Sequence, residues 1–226
     1  MDSPVGYLSE YESPRMIEPF PLVQDVVLVG GGHTHALVLR MFGMDPVEGV
    51  RLTVVNPDPA APYTGMLPGH IAGHYAQGEM MIDLVRLARF AGARVILDRV
   101  TGIDRAARRV ILAGRPPLAY DLCSVDIGIA SDLPAVAGAA EHAVSAKPLG
   151  AYAARWERFV AQGLAAPRLV IVGAGIGGVE LALASAHRLR AAGARPAITL
   201  VTRGAALPHI GTVARATLLR EMAGQG

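Results

Sequence analysis

The sequence predicts an α/β fold with parallel sheets in two units, of which the second is incomplete. A buried strand, a glycine turn, a helix and another buried strand follow one another twice, from Asp25 to Asn56 and from Arg168 to Thr202. The composition suits parallel α/β layers, because Ala, Val, Leu and Gly are abundant while aromatic residues make up only 5%. Strands and helices alternate with short connections, which is typical of a parallel sheet covered by helices.

The first unit follows a polar, Pro-rich segment at residues 1–24, which we expect to be a loose arm. A continuous apolar strand then runs into a glycine turn in "DVVLVGGG", and "HALVLRMFGM" predicts the helix that comes next. A second buried strand is predicted by "RLTVVNPDP" and is stopped by Pro57 and Pro59.

Four more segments complete a first domain that we place at residues 25–164. The amphipathic pattern of "MIDLVRLARFAGA" predicts a helix that ends at Gly92. A strand and then a hairpin with alternating apolar positions are predicted by "ARVILDRVTGIDRAARRVILAG", and another buried strand by "DLCSVDIGIA". The last segment, "KPLGAYAARWERFVAQG", predicts a helix with Gly163 after its end.

A partial second domain is expected at residues 165–226. The strand–turn–helix pattern returns in "RLVIVGAGIGGVELALASAHRLRAAG", a second strand follows in "AITLVTRG", and "TVARATLLREMAG" begins another helix. The hydropathy of residues 169–187, taken alone, is typical of a membrane span. The four glycines and Glu180 within that stretch favour a strand, a turn and a buried helix, so we predict no transmembrane segment.

Charge and cysteine content argue against several classes of protein. The formal net charge is only +2 and the arginines are dispersed, so nucleic acid is not an expected partner. The single Cys123 rules out an internal disulfide and a CxxC redox pair, and its apolar strand indicates a small core residue. Acidic residues and prolines at the start of the chain do not form a signal peptide, so we expect a cytoplasmic protein.

The second glycine turn satisfies the full dinucleotide-binding pattern of a Rossmann-like fold. In that pattern the first glycine permits the tight turn, the second lets the backbone approach a pyrophosphate, and the third lets the helix pack close to the strand. Gly173, Gly175 and Gly178 occupy these three positions between a β-branched strand and an alanine-rich helix. Free N–H groups and the dipole at the helix N-terminus would favour an anion there. The alternative is a glycine turn needed only for packing.

The first glycine turn departs from the pattern at its third position. Gly30 and Gly32 cover the two roles nearest to a phosphate, but the third role falls to His35. Its side chain requires either a wider gap between helix and strand or an orientation away from that gap. His33 and Thr34 would lie at the start of the helix, beside the phosphates.

Two histidine pairs raise the question of a metal site. His33 and His35 are two residues apart, and His70 and His74 are four apart, a spacing that could place both on one helix face. No acidic residue lies between His70 and His74, and no second cysteine is available as a ligand. We therefore predict no metal centre and favour partly buried histidines beside an anionic cofactor.

Six stretches of this sequence resemble a known family. They are "VLVGGGHTHALVL", "PYTGMLPGHIAGHY", "IDLVRLA", "YDLCSVDIG", "AEHAVSAKP" and "LVIVGAGIGGVELALA", which together span residues 26–220. The chain resembles the flavoprotein reductases with two dinucleotide-binding units, such as type II NADH dehydrogenases and other pyridine nucleotide-disulfide oxidoreductases. It resembles more closely the reductase-like domain fused ahead of selenide, water dikinase in some bacteria. Composition alone would make the "PYTGMLPG" segment an ordinary loop.

The resemblance implies a set of cofactor-binding residues. In the first unit these are Gly30, Gly32, His33 and Thr34 at the FAD pyrophosphate, Asn56 at the adenosine ribose, Met66, Leu67 and Pro68 near the flavin, the backbone of Val100 at the adenine, and Gly128 in a turn that is usually Ala-Thr-Gly. In the second unit they are Gly173, Gly175 and Gly178 at the NAD(P)H pyrophosphate, with Glu180 toward the nicotinamide–flavin contact. Asp126 and Ile127 depart from the Ala-Thr-Gly turn.

Residues at the end of the second unit's second strand bear on the choice of nicotinamide cofactor. Thr202 stands where an acidic residue would bond a ribose 2′-hydroxyl, and Arg203 could pair with a 2′-phosphate, which favours NADPH over NADH. Arg203 as a solvated surface residue is the alternative.

The chemistry that the resemblance implies is hydride transfer from NAD(P)H to FAD and then to an unidentified small-molecule or quinone-like acceptor. Lack of a second cysteine argues against disulfide reduction, and a role in selenium metabolism is implied only by the fused relatives.

Two full nucleotide domains need around 300 residues, so we expect this chain to be the N-terminal part of such an enzyme. The sheet of the partial second domain would then end in an unpaired edge, which would favour self-association. A nucleotide-binding or regulatory module without turnover is the alternative.

Overall fold

The computed structural model describes residues 21–128 and 137–224. The predicted loose arm at residues 1–24 lies almost entirely outside the described residues. In chain order, the first part of the chain contains β1 (Gln24–Val29), α1 (His33–Met44), β2 (Val50–Asn56), β3 (Ala60–Pro62), α2 (Leu67–Ala72), β4 (Met81–Asp83), α3 (Leu84–Phe90), β5 (Arg94–Leu97), β6 (Val100–Asp104), β7 (Arg109–Leu112), β8 (Leu118–Ala119) and β9 (Leu122–Val125).

The second part contains α4 (Ala139–His142), α5 (Leu149–Val160), β10 (Arg168–Val172), α6 (Ile176–Ala191), β11 (Ala197–Val201) and α7 (Thr212–Gly224). Both predicted strand–turn–helix–strand repeats are present, as β1–α1–β2 and as β10–α6–β11. None of the helices that the structure describes is both long and apolar enough to cross a membrane.

A parallel sheet with strand order β5-β2-β1-β9 forms the centre of the first unit. Alternate residues of β1 face opposite sides of this sheet because successive side chains of a strand point in opposite directions. Leu28 packs with Leu39 of α1 and Ala88 of α3 on one face. Val27 packs on the other face with Val110 of the antiparallel β6-β7-β8 sheet. The predicted α/β class with Rossmann-like parallel sheets is confirmed.

Two predicted elements differ in the structure. The helix predicted from residue 81 begins only at Leu84, because residues 81–83 form β4, which pairs antiparallel with β3. The Asp83 side chain accepts a hydrogen bond from the Arg86 N–H at 2.8 Å, so it caps α3 at this point. The strand β9 was expected to be buried, but it lies at the edge of its sheet, and Leu122 is 50% exposed.

The "PYTGMLPG" segment is an ordered connection rather than a loop. It contains the end of β3, a 3-10 turn at Thr64–Met66 and the first turn of α2. The α2 helix joins the two units, since Leu67 and Ile71 pack in one core with Trp156 of α5 and Leu189 of α6. The Trp156 indole N–H also donates a hydrogen bond to the Ile71 carbonyl at 3.0 Å.

The second unit contains a two-stranded parallel sheet, in which Val172 of β10 is in register with Val201 of β11. One face of this sheet packs against α6, and alternate residues of both strands are exposed on the other face. Each unit therefore carries one glycine turn at the carboxyl end of its first parallel strand.

Candidate functional site

The first glycine turn lies where β1 and β9 end side by side. Gly30 has a left-handed φ of +94°, and a Cβ built on it would overlap the backbone of Asp126. Its N–H donates to the Val55 carbonyl at 2.8 Å, and the Asp126 N–H donates to the Val29 carbonyl at 2.9 Å. Glycine is required at position 30 both for its conformation and for this close approach.

The N-terminus of α1 is occupied by a side chain from β9's carboxyl end. The Asp126 carboxylate oxygen Oδ2 accepts hydrogen bonds from the Thr34 N–H at 2.9 Å and from the His35 N–H at 3.1 Å. A Cβ built on Gly32 would overlap this carboxylate. Gly32 therefore lets an anion approach the backbone, as the dinucleotide pattern requires, and in this structure the anion belongs to the protein.

His35, which replaces the third glycine, is buried beneath the turn. Its Nδ1 lies 2.8 Å from the Gly30 carbonyl oxygen, so Nδ1–H must be the donor because a carbonyl can only accept. In the neutral ring, Nε2 then accepts from the Ser124 hydroxyl at 2.9 Å. The sequence left open whether this side chain widens the gap or points elsewhere, and the structure shows that it bridges the turn and β9.

Asn56 is already engaged with the protein backbone. Its Oδ1 accepts from the Gly31 N–H at 3.0 Å, and its Nδ2 donates to the Asp58 carbonyl at 2.7 Å. The amide thereby fixes the middle of the glycine turn and the loop after β2. Binding of ribose hydroxyls by Asn56 stays a prediction and would use the second lone pair and the second amide hydrogen.

The "PYTGMLPG" segment reaches the first turn through Tyr63. The rings of His33 and Tyr63 have centroids 6.0 Å apart, and both side chains are exposed. Further along the segment, Leu67 is buried in the core while Met66 and Pro68 are half-buried. Their proximity to a flavin stays a prediction.

The two remaining sites predicted in the first unit lie near the ends of β-strands. Val100 begins β6, three residues after the end of β5, and packs half-buried against the sheet. Gly128 is exposed and comes three residues after the end of β9. A binding role for either position stays a prediction.

The second glycine turn has the geometry of all three glycine roles. Gly173 has a φ of +110°, and its N–H donates to the Val201 carbonyl at 2.8 Å. A Cβ on Gly178 would overlap the Gly173 carbonyl oxygen, so the third glycine lets α6 pack against the turn. Apart from the adjacent residues, no atom of the described structure lies within 4 Å of a Cβ built on Gly173 or Gly175. In contrast to the first turn, the second is open.

Glu180, Thr202 and Arg203 are exposed. Glu180 lies in the second turn of α6, and the other two residues directly follow β11. Their exposure is compatible with ligand contacts, and their roles stay predictions.

The histidines do not gather as the pairs in the sequence suggested. The α2 helix ends at Ala72 and Gly73 adopts a left-handed conformation, so His74 does not share a helix face with His70. Instead His74 faces His187, with ring centroids 5.2 Å apart. Within residues 21–128 and 137–224, no three metal-ligating side chains lie close enough to hold a metal ion.

A cavity of about 430 Å³ lies between the end of α2, α5 and α6, and its lining includes charged side chains. The buried His70 donates through Nδ1 to the Tyr75 carbonyl at 2.9 Å, and its Nε2 lies 3.6 Å from the Glu157 carboxylate. Glu157 also pairs with Arg188 at 3.8 Å. The pair of Glu157 on α5 and Arg188 on α6 links the two units through charged side chains.

Cys123 is half-buried on β9 and packs against the core. Burial raises the pKa of its thiol, which disfavours the reactive thiolate. The structure therefore supports a packing role for this residue, as the sequence indicated.

Comparison with known proteins gives the same architecture. The sequence matches the family described as pyridine nucleotide-disulphide oxidoreductase over residues 24–226. An NADH dehydrogenase-like protein, YutJ, of Bacillus subtilis (strain 168) is 26% identical over 166 residues, which are 71% of this chain and 44% of that protein.

Solved structures with the same fold include the sulfide:quinone oxidoreductase of Aquifex aeolicus, with a TM-score of 0.71 and 18% identity over 89% of this chain and 49% of that one. The water-forming NADH oxidase of Lactobacillus brevis bound to NADH has a TM-score of 0.67 and 18% identity over 90% of this chain and 45% of that one. This chain thus spans less than half the length of each of these proteins. The match over residues 24–226 shows that the chain belongs to the pyridine nucleotide-disulphide oxidoreductase family.

Proposed function

We propose that this chain supplies the FAD-binding unit and part of the NAD(P)H-binding unit of a flavin-dependent pyridine-nucleotide oxidoreductase. The two units would correspond to residues 25–164 and 165–226. The observation that carries the proposal is the repeated geometry of the glycine turns, each at the carboxyl end of a parallel strand and at the N-terminus of a helix. This is where dinucleotide pyrophosphates bind in α/β folds.

The residues of both turns fit a diphosphate. At the first turn, Gly32 leaves room for an anion, and the N–H groups of Thr34 and His35 already bind a carboxylate. At the second turn, Gly175 directly precedes α6, no side chain caps the helix, and the space at Gly175 is open within the described structure. The carboxylate held at the first turn and the open space at the second support a diphosphate at each.

Bound FAD and NAD(P)H would supply the hydride chemistry. The residues of this chain would bind and orient the two cofactors: Gly30, Gly32, His33 and Thr34 would hold one diphosphate, and Gly173, Gly175 and Gly178 the other. Hydride transfer requires the reacting atoms to be held roughly 3–3.5 Å apart. The core that joins α2 with α5 and α6 would fix the distance between the two turns.

We propose only the chemical class of the electron acceptor. The solved relatives include an oxidoreductase that acts with quinone and a reductase in a covalent complex with putidaredoxin. We propose a small-molecule or quinone-like acceptor for this protein. The resemblance to the domain fused ahead of selenide, water dikinase adds a link to selenium metabolism to the proposal.

The test is reconstitution of the purified protein with FAD, followed by its flavin absorbance and fluorescence. We expect a bound flavin whose affinity falls at least tenfold, by about 1.4 kcal/mol, in Gly32→Val. Gly78→Val is the matched control, because Gly78 lies in a 3-10 turn with no described atom within 4 Å of its Cβ position. Absence of flavin binding to the folded wild type would refute the proposal, and equal affinity in Gly32→Val would remove the first turn from the site.

A second candidate is a nucleotide-binding module without turnover. The open second turn favours it, since an adenine nucleotide could bind there while the donors of the first turn hold the protein's own carboxylate. A colourless protein that binds ADP but not FAD would support this alternative.

A further inference from the structure

Asp126 makes three separate contacts with the first glycine turn. Its carboxylate accepts from the N–H groups of Thr34 and His35, and its carbonyl accepts from the Gly32 N–H at 3.2 Å. The carboxylate also lies against the Cα of Gly32, where a Cβ would overlap it. One residue therefore fills the position that the second glycine keeps open for an anion.

A diphosphate at this position would need the same donors. The first-turn N–H groups of a helix have no partner within the helix, and they are the groups that bind phosphate at a dinucleotide turn. Both the carboxylate and the diphosphate are negatively charged, so they would repel each other if they shared the helix N-terminus. Binding of one therefore requires the other to leave.

The backbone and the carboxylate of Asp126 are held by different hydrogen bonds. Its N–H donates to the Val29 carbonyl and its carbonyl accepts from Gly32, so the main chain stays paired with β1 and the turn. The side chain is only half-buried. Rotation about χ1 would move the carboxylate off the helix without breaking the pairing of β9 with β1.

The second turn shows what an uncovered helix N-terminus looks like in the same protein. No side chain caps α6 at Gly175, and no acidic residue lies in its first turn. At the first turn, by contrast, the Asp126 carboxylate accepts from two N–H groups of the first helical turn.

We propose that the Asp126 carboxylate is an intramolecular competitor for the FAD diphosphate and that it must rotate off α1 before the first turn can bind the cofactor. This inference rests on the function proposed above and concerns the regulation of the same site. Asp126 would weaken the binding of any ligand with a diphosphate at this turn. It would leave ligands without phosphate unaffected.

The test compares Asp126→Asn with the wild type by isothermal titration of four ligands. FAD and ADP carry a diphosphate, and riboflavin and adenosine are their phosphate-free counterparts. Asparagine keeps an oxygen that can cap α1 but removes the charge. We expect the dissociation constants for FAD and ADP to fall about tenfold, and those for riboflavin and adenosine to stay within twofold.

Two further variants make the result specific. Asp126→Ser offers a shorter neutral cap and should give the same gain, which also covers the case in which the asparagine variant does not fold. Asp58→Asn removes an exposed carboxylate on the loop after β2, and it should leave all four affinities unchanged.

Equal ADP affinity in the wild type and in the Asp126 variants would overturn the inference while leaving the proposed function intact. Weaker FAD binding in the variants would also overturn it, because the carboxylate would then support the ligand. If neither the wild type nor the variants bind FAD, the proposed function itself is wrong and the inference falls with it.

Discussion

The imidazole of His35 lies 2.8 Å from the carbonyl oxygen of Gly30. His35 stands at a position that is glycine in the dinucleotide pattern. The histidine side chain is buried. It turns under the glycine turn and connects it to Ser124 on β9. The first turn is thus held by a buried hydrogen-bond bridge, where the second is held by the close approach of Gly178.

We expect His35→Ala to destabilise the protein by roughly 2–4 kcal/mol, because it leaves the Gly30 carbonyl and the Ser124 hydroxyl without their partner and creates a cavity. His35→Gly restores the glycine pattern but should be worse by about 1 kcal/mol, since glycine disfavours the helix. Urea unfolding measures both changes. His33→Ala, at an exposed neighbouring position, should cost less than about 0.5 kcal/mol. A His35→Gly variant as stable as the wild type would show that the hydrogen bonds of His35 do not stabilise the protein.

Two adjacent glycines of α6 should respond in opposite ways to alanine. A Cβ at Gly178 overlaps the Gly173 carbonyl oxygen, so Gly178→Ala should cost about 1–3 kcal/mol through displacement of the helix. A Cβ at Gly177 meets no described atom within 4 Å, so Gly177→Ala should be neutral or stabilise by up to about 1 kcal/mol. Chemical denaturation of the two variants side by side is the measurement. Equal effects would show that α6 does not depend on this contact.

The repeated architecture could be predicted because long apolar strands and glycine turns carry strong local signals. The short elements could not, since β3 and β4 have three residues each and show no period. Their pairing and the position of α2 depend on packing between the units.

Most of the contacts that define the first turn join residues distant in sequence. Asp126 binds Thr34 across 92 positions, and His35 binds Ser124 across 89. The sequence did mark both places, through the missing third glycine and through the departure of Asp126 from the usual Ala-Thr-Gly turn. A departure from a pattern shows where to look but does not identify the partner that compensates for it.

The ion pair between Asp25 and Arg51 should make stability depend on acid pH. Arg51 donates to the two carboxylate oxygens at 2.5 and 2.6 Å, and this hydrogen bonding lowers the pKa of Asp25. A lowered folded-state pKa gives stability that is present above the unfolded value of about 3.9 and is lost as the pH falls through the folded value. Asp25→Asn should therefore cost roughly 0.2–1 kcal/mol at pH 7.

The cost of Asp25→Asn should disappear as the pH is lowered, since the wild-type carboxyl group is then protonated too. Urea unfolding of the wild type and the variant between pH 7 and pH 2.5 measures this convergence. Glu48→Gln, which removes an exposed carboxylate, should change the unfolding free energy by less than about 0.5 kcal/mol at pH 7. A constant difference between wild type and Asp25→Asn at all pH values would exclude the ion pair as its cause.

Arg203 should favour NADPH over NADH. It follows the exposed Thr202 directly after β11, and Val201 of the same strand contacts the second glycine turn through its carbonyl. A guanidinium can pair with a 2′-phosphate, and no acidic residue at position 202 repels it. Arg203→Ala should weaken NADPH binding about tenfold and leave NADH binding nearly unchanged. Arg195→Ala is the control for loss of an exposed positive charge. If the wild type binds NADH and NADPH with equal affinity, the predicted preference for NADPH is wrong.

The exposed face of the second sheet should drive self-association. Val170 and Val172 of β10 are 66% and 67% exposed, and Val201 of β11 lies beside Val172 on the same face. An exposed apolar strand face of this kind favours association with a second copy.

The double variant Val170→Thr, Val172→Thr keeps the side-chain shape and reduces the apolar area. We expect it to shift the protein toward monomer in size-exclusion chromatography with light scattering. Val213→Thr, at a highly exposed position on α7, should leave the distribution unchanged. If the wild type is monomeric at high concentration, this face does not act as an association surface.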